Sequence, residues 1–218
     1  MRPTLTLARI KGLGVIGSDL TFGWEHSKNG DDRDLGLIEC CRLEIARGAW
    51  RAYRTSTPQA WFGLLEMDLL RRAVAELLGE LPRRTTGLSA TEMWMLERIS
   101  NGDVRPEDFL VDLLQREERG DFDYWEIGEL LDGLAHGPAP AVAGRNEGLV
   151  TLEMHDEHER LQRYRQCKLS LTALGKAILA KTEDFSRHNP IHRWWGGTEL
   201  TNDRLWRWDS AKRTLVAL

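Results

Sequence analysis

Between Ser89 and about Ala180 the chain runs through start signals, amphipathic stretches and breakers in one fixed order. Ser89-Ala90-Thr91-Glu92 is a capping box, with Leu88 and Met93 placed as its hydrophobic staple, and Asn101-Gly102 stops the helix that it opens. Pro106 opens a second helix carrying Phe109, Leu110, Leu113 and Leu114, which Gly120-Asp121 breaks. A third follows with Tyr124, Ile127, Leu131 and Leu134 on one face, and it ends at His136-Gly137-Pro138. Residues 138–148, rich in Pro, Ala and Gly, predict a loop. Val150, Leu152 and Met154 then alternate with Thr151 and Glu153 as a half-buried strand does, and Leu169 and Leu171 predict a second strand. The thirteen polar-dominated residues His155 to Cys167 would be the wing between them, and Thr172 caps a helix reaching about Lys181. Three helices, a hairpin and a helix make a helix-turn-helix with a wing, so residues 88–182 are expected to be a winged-helix domain.

The rest of the chain divides around that block. Residues 1–33 hold a weak alternation at 4–10 and then a loop rich in Gly and Asp. Residues 34–82 predict a helical subdomain: Ile38, Cys41, Ile45, Ala49 and Tyr53 share one face, Thr57 and Pro58 are expected as N-cap and first helical residue, and Leu70, Val74, Leu77 and Leu81 continue an apolar stripe. Pro82-Arg83-Arg84-Thr85-Thr86-Gly87 is a polar connector. Residues 183–218 contain Trp194, Trp195, Trp206 and Trp208, four of nine tryptophans in the chain. That much indole surface is costly to expose, so the segment is expected to pack on the body. Trp206-Arg207-Trp208-Asp209 alternates like a strand, and Arg193 and Arg207 are candidates to stack on the indoles. The fold class is therefore mainly α with a small antiparallel β-hairpin.

Charge bears directly on what such a fold would do. Winged helices usually read DNA with the third helix, and binding to phosphate needs cations there. Residues 117–132 instead carry Glu117, Glu118, Asp121, Asp123, Glu126, Glu129 and Asp132 against Arg119 alone, and the whole chain has a formal charge of −4. The wing is mixed, setting Arg160, Arg163, Arg165 and Lys168 against Asp156, Glu157 and Glu159. Two partner classes follow. A protein with a basic surface would suit Asp123, Glu126, Glu129 and Asp132, with Trp194 and Trp195 as aromatic contacts. Duplex DNA would have to rely on Arg160, Arg163, Arg165 and Lys168.

Other motifs lack the context that their chemistry needs. Gly12-Leu13-Gly14-Val15-Ile16-Gly17 matches a dinucleotide loop, yet no βαβ pattern follows it. His155-Asp156-Glu157-His158-Glu159 and the His188/His192 pair offer no third ligand at metal spacing. Cys40, Cys41 and Cys167 are odd in number and form no Cys-x-x-Cys, which fits a reducing cytoplasm better than a disulfide framework. No apolar run is long enough to span a bilayer. No catalytic residue, metal or cofactor is nominated.

Gly12-Leu13-Gly14, Ala49-Trp50-Arg51-Ala52-Tyr53 with Thr57-Pro58, Gly87-Leu88-Ser89-Ala90-Thr91-Glu92, Gly120-Asp121, Leu171-Thr172 with Gly175, Arg193-Trp194-Trp195-Gly196-Gly197 and Trp206-Arg207-Trp208 together resemble a bacterial family known only as a domain of unknown function. The resemblance runs from about Gly12 onward and is most specific in the tail. Members of that family carry an additional N-terminal α/β half, so the resemblance implies the architecture but no activity for this chain. The Leu171-Thr172 turn with Gly175 is also similar to winged-helix regulators of the MarR type. The expected function is a non-enzymatic cytoplasmic binding or regulatory module that uses its winged helix for protein contact. The alternatives are a DNA-binding regulator, or an enzyme or enzyme remnant whose catalytic half is absent.

Overall fold

The computed structural model describes residues 44–114, 124–145 and 157–217. They fall into two compact units, one of residues 44–78 with 193–199 and one of 79–192 with 200–217. The fold is mainly α with small antiparallel strand pairs. The motifs at 12–17, Cys40-Cys41, Asp123 and His155-Asp156 lie outside the described residues, as does the strand expected at 150–154.

The first unit begins with α1, residues 44–53. Ala49 and Ala52 are buried on one side, where small side chains allow close packing. Arg54 prolongs the last turn, its N–H donating to Trp50 O at 3.2 Å. Thr57 does not cap the next helix. The N-cap of α2 (Gln59–Phe62) is Pro58 without a side-chain bond, while Thr55 Oγ1 closes the turn, 2.6 Å from Ala52 O and 2.8 Å from Thr57 O. A 3₁₀ turn at Gly63–Glu66 leads to α3 (Asp68–Gly79), which buries Leu70, Val74 and Leu78. Its apolar face closes on Leu78 rather than on Leu77, because spacings of four bring 70, 74 and 78 into line. The Leu77 carbonyl is used instead: it accepts from Trp195 Nε1 at 3.1 Å. Trp195 meets the fully buried Trp61 edge to face, centroids 6.0 Å apart. Gly197 N–H donates to Tyr53 O at 2.7 Å, and a Cβ at Gly197 would stand 2.7 Å from the carbonyl oxygens of Tyr53 and Thr55. Only glycine admits that approach.

In the second unit the capping box opens α4 (Ala90–Ser100): Glu92 N–H donates to Ser89 Oγ, and Ser89 N–H to Glu92 Oε2 at 2.7 Å. Then come α5 (Pro106–Leu114) and α6 (Tyr124–Ala135). Met95, Leu96, Phe109, Ile127, Leu131 and Leu134 are almost fully buried and form its core. Strand β1 (Val142–Ala143) pairs antiparallel with β2 (Ser170–Leu171), Val142 opposite Leu171. An antiparallel bridge joins Val104, between α4 and α5, to Leu169, whose N–H donates to Val104 O at 2.9 Å. Between β1 and β2 lies α7 (His158–Gln166), and after β2 comes α8 (Ala173–Leu179), capped by Thr172.

Two expectations are corrected here. Among the described residues Ser170–Leu171 pairs with Val142–Ala143, so the segment expected to be loop holds a short strand. Small residues let that chain pass close to its neighbours: Gly144 (φ +93°) lies against Lys168 O, and Gly175 against Ala141 O, at both of which a Cβ would collide. The wing between 155 and 167 is helical over 158–166 rather than extended. Leu161 and Tyr164, three apart, are both buried, and Glu157–Arg160 and Glu159–Arg163 are helix-spaced ion pairs.

The remaining chain supplies a 3₁₀ turn at Phe185–Arg187 and the hairpins β3 (His192–Trp195)/β4 (Thr198–Thr201) and β5 (Trp206–Asp209)/β6 (Thr214–Ala217). Arg207 does not stack on an indole. Its guanidinium is buried against Asp184 (2.8 Å), Ser186 Oγ (2.7 Å) and Arg83 O (3.0 Å). Gly87 (φ +69°) lies against the same carboxylate, where a side chain would collide. The 82–87 segment is thus structured by the β5 strand: Trp208 N–H donates to Pro82 O at 2.9 Å.

Candidate interaction surfaces

The acidic helix keeps its sign but not its full set of surface charges. Along α6 the residues Tyr124–Ala135 contain no cation. Glu129 is exposed and Glu126 half-buried. Asp132 departs from the expectation of a surface carboxylate. It is buried beside Gly128, at the edge of the covered side of α6, and its side chain is 7% exposed. There it takes Arg145 Nη2 at 2.6 Å, with that guanidinium itself 1% exposed and its carbon 4.2 Å from the centre of the Tyr164 ring. His136 Nε2 lies 3.6 Å from the same carboxylate. An ion pair this dry owes its stability to mutual compensation, because either charge alone would be strongly penalised. Arg145 stands just after β1 and Tyr164 on α7, so the pair ties both to α6.

The four cations expected on the wing are dispersed by the helix. Arg160 is mostly covered and 3.6 Å from Glu157. Arg163 is exposed, 3.9 Å from Glu159, and Arg165 is exposed on the same helix. Lys168 follows α7 and lies 3.2 Å from Asp103, both well exposed. Exposed pairs of this kind contribute little to stability. They do reduce the positive field that a phosphate backbone would meet.

The adjacent tryptophans separate as residues of a strand do, onto opposite faces. Trp195 is interior packing of the first unit, whereas Trp194 is 65% exposed. The sequence reading missed a further set. On α1 and its last turn Arg47, Trp50, Arg51 and Arg54 are all exposed. At 100° per residue they fall within an arc of about 100°, opposite the buried Ala49 and Ala52. The signal was in the spacing of the basic residues, which a search for apolar stripes passes over.

Among the described residues no group of three His, Cys, Asp or Glu side chains could hold a metal ion. No helix among them is long and apolar enough to cross a membrane. Cys167 is a free, half-buried thiol whose Sγ lies 3.2 Å from Arg163 O. No protein-family model, curated protein or solved structure matches the chain.

Proposed function

We propose that residues 88–182 are a winged helix serving as a protein-binding surface, and that the chain is a non-enzymatic regulatory module of the bacterial cytoplasm. The order α4, Val104 bridge, α5, α6, β1, β2, α8 supports the fold, since the bridge and the β1–β2 pair bring together the three antiparallel segments that such a domain uses. The observation that carries the function is the charge of α6. The helix that would enter a major groove presents Glu126 and Glu129 and no cation, so it repels phosphate and suits a basic protein surface. A photo-crosslinking residue in place of Glu129, used in native extract, tests this. Crosslinks to one protein through a Lys/Arg-rich segment, lost on Glu126→Lys, are expected. Crosslinks to nucleic acid would overturn it.

A DNA-binding regulator is the second reading. The exposure of Arg163 and Arg165 on α7 favours it. It requires duplex affinity that falls steeply with salt and disappears in Arg163→Glu.

A further inference from the structure

The first unit presents a surface unrelated to the winged helix. Helix α1 turns Arg47, Trp50 and Arg51 to solvent, and Arg54 extends the row by one turn. The helical rise places Arg47 and Arg54 about 10 Å apart along the axis, the length of about three stacked nucleotides. Arg47 has one acidic neighbour, the exposed Glu44 at 2.6 Å, and neither Arg51 nor Arg54 has an ion-pair partner among the described residues. Trp50 is 44% exposed although it is a large apolar ring. Tyr53 stacks on it, with centroids 5.8 Å apart and planes 14° from parallel. Tyr53 is in turn backed by the β3–β4 turn, where a Cβ on Gly196 would stand 3.4 Å from the Tyr53 ring. Strand β3, which leads into that turn, carries Trp194, the most exposed large apolar side chain among the described residues.

A merely solvated face would place its arginines among acids and would have no reason to keep a half-exposed indole stacked on a tyrosine between them. Guanidinium groups in a row beside a pre-ordered aromatic platform match one ligand chemistry: a flexible polyanion carrying planar rings. We propose that α1 binds single-stranded nucleic acid, with Arg47, Arg51 and Arg54 on successive phosphates and one base stacked on Trp50. An acidic peptide would meet the guanidinium groups but gain little from the stacked indole. A rigid duplex would offer phosphates but no free base face.

The test is anisotropy of a fluorescein-labelled oligodeoxythymidylate, about 20 nucleotides long, titrated with the full chain at rising salt. Saturable binding is expected, with log affinity falling against log salt at a slope of about −2, the value for three phosphates on a single strand. Arg51→Glu/Arg54→Glu is expected to weaken binding by at least about tenfold and to flatten the slope. Trp50→Ala is expected to lose about tenfold while leaving the slope unchanged, because stacking releases no counterions. All these side chains are exposed, so circular dichroism and melting should match the wild type, and Trp50→Phe should retain most of the affinity. Absence of binding would overturn the proposal. So would loss in Arg163→Glu/Arg165→Glu with Arg51→Glu/Arg54→Glu unaffected, or equal competition by polyglutamate with no effect of Trp50→Ala.

Discussion

Helices α1 and α6 both carry charge along one side, and they differ in what the fold does with it. On α1 the cations all face water, and the buried side is built from alanines. On α6 the three described acids part company: Glu129 and, partly, Glu126 remain outside, while Asp132 turns inward to Arg145. A charge count along a helix is therefore not a surface charge. Positions 126 and 129 share a face, but 132 follows a further three residues on, and each such step turns the helix by 300° rather than a full circle. That drift carries Asp132 away from Glu126 to within about 40° of Gly128, which is also buried.

The inward acid gives the largest expected effect. Arg145→Ala would leave Asp132 buried without its guanidinium partner and should cost about 3–5 kcal/mol in urea unfolding, whereas Arg145→Met/Asp132→Leu should recover most of that loss. A loss of about 1 kcal/mol or less in Arg145→Ala would place the pair in water. Next comes the close packing that holds the second unit's tail segment. Gly87→Ala combines a positive φ with a side chain directed at Asp184, and a loss of at least about 1–3 kcal/mol is expected. Ser89→Ala removes one half of the capping box and should cost about 1 kcal/mol. The smallest effect belongs to the outward acids: Glu129→Gln should change stability by less than about 0.5 kcal/mol. A larger loss would mean that Glu129 has a structural task like that of Asp132.

Much of the second unit was legible in the sequence because its signals are local. The capping box at Ser89, the stop at Asn101-Gly102, Pro106 at a helix start, and the buried positions 127, 131 and 134 all depend on neighbours within a few residues. The alternation at 206–209 also marks a strand. What the sequence hid depends on distant partners. Val142–Ala143 is a strand only because Ser170–Leu171 lies beside it, and two residues leave no period to detect. Arg207 reads as an indole-stacking cation until Asp184, more than twenty residues earlier, is seen to take it. The helix at 158–166 was obscured by its own polarity, since Leu161 and Tyr164 alone mark its buried side. Of the candidate surfaces, the acidity of α6 was visible and the inward turn of Asp132 was not. The Arg/Trp row on α1 has the spacing of a helix face, but polar residues at that spacing mark no core and so leave no apolar signal.

We propose that the outward face of α6, with Glu126 and Glu129 and no cation, repels duplex DNA. It is tested most directly by duplex binding of the wild type beside Glu126→Lys/Glu129→Lys, followed against salt concentration. The wild type is expected to make no salt-dependent contact through α6 and the two lysines to create one, with the slope of log affinity against log salt changed by about −2. A wild type that already binds the duplex tightly, and gains nothing from the two reversals, would contradict it.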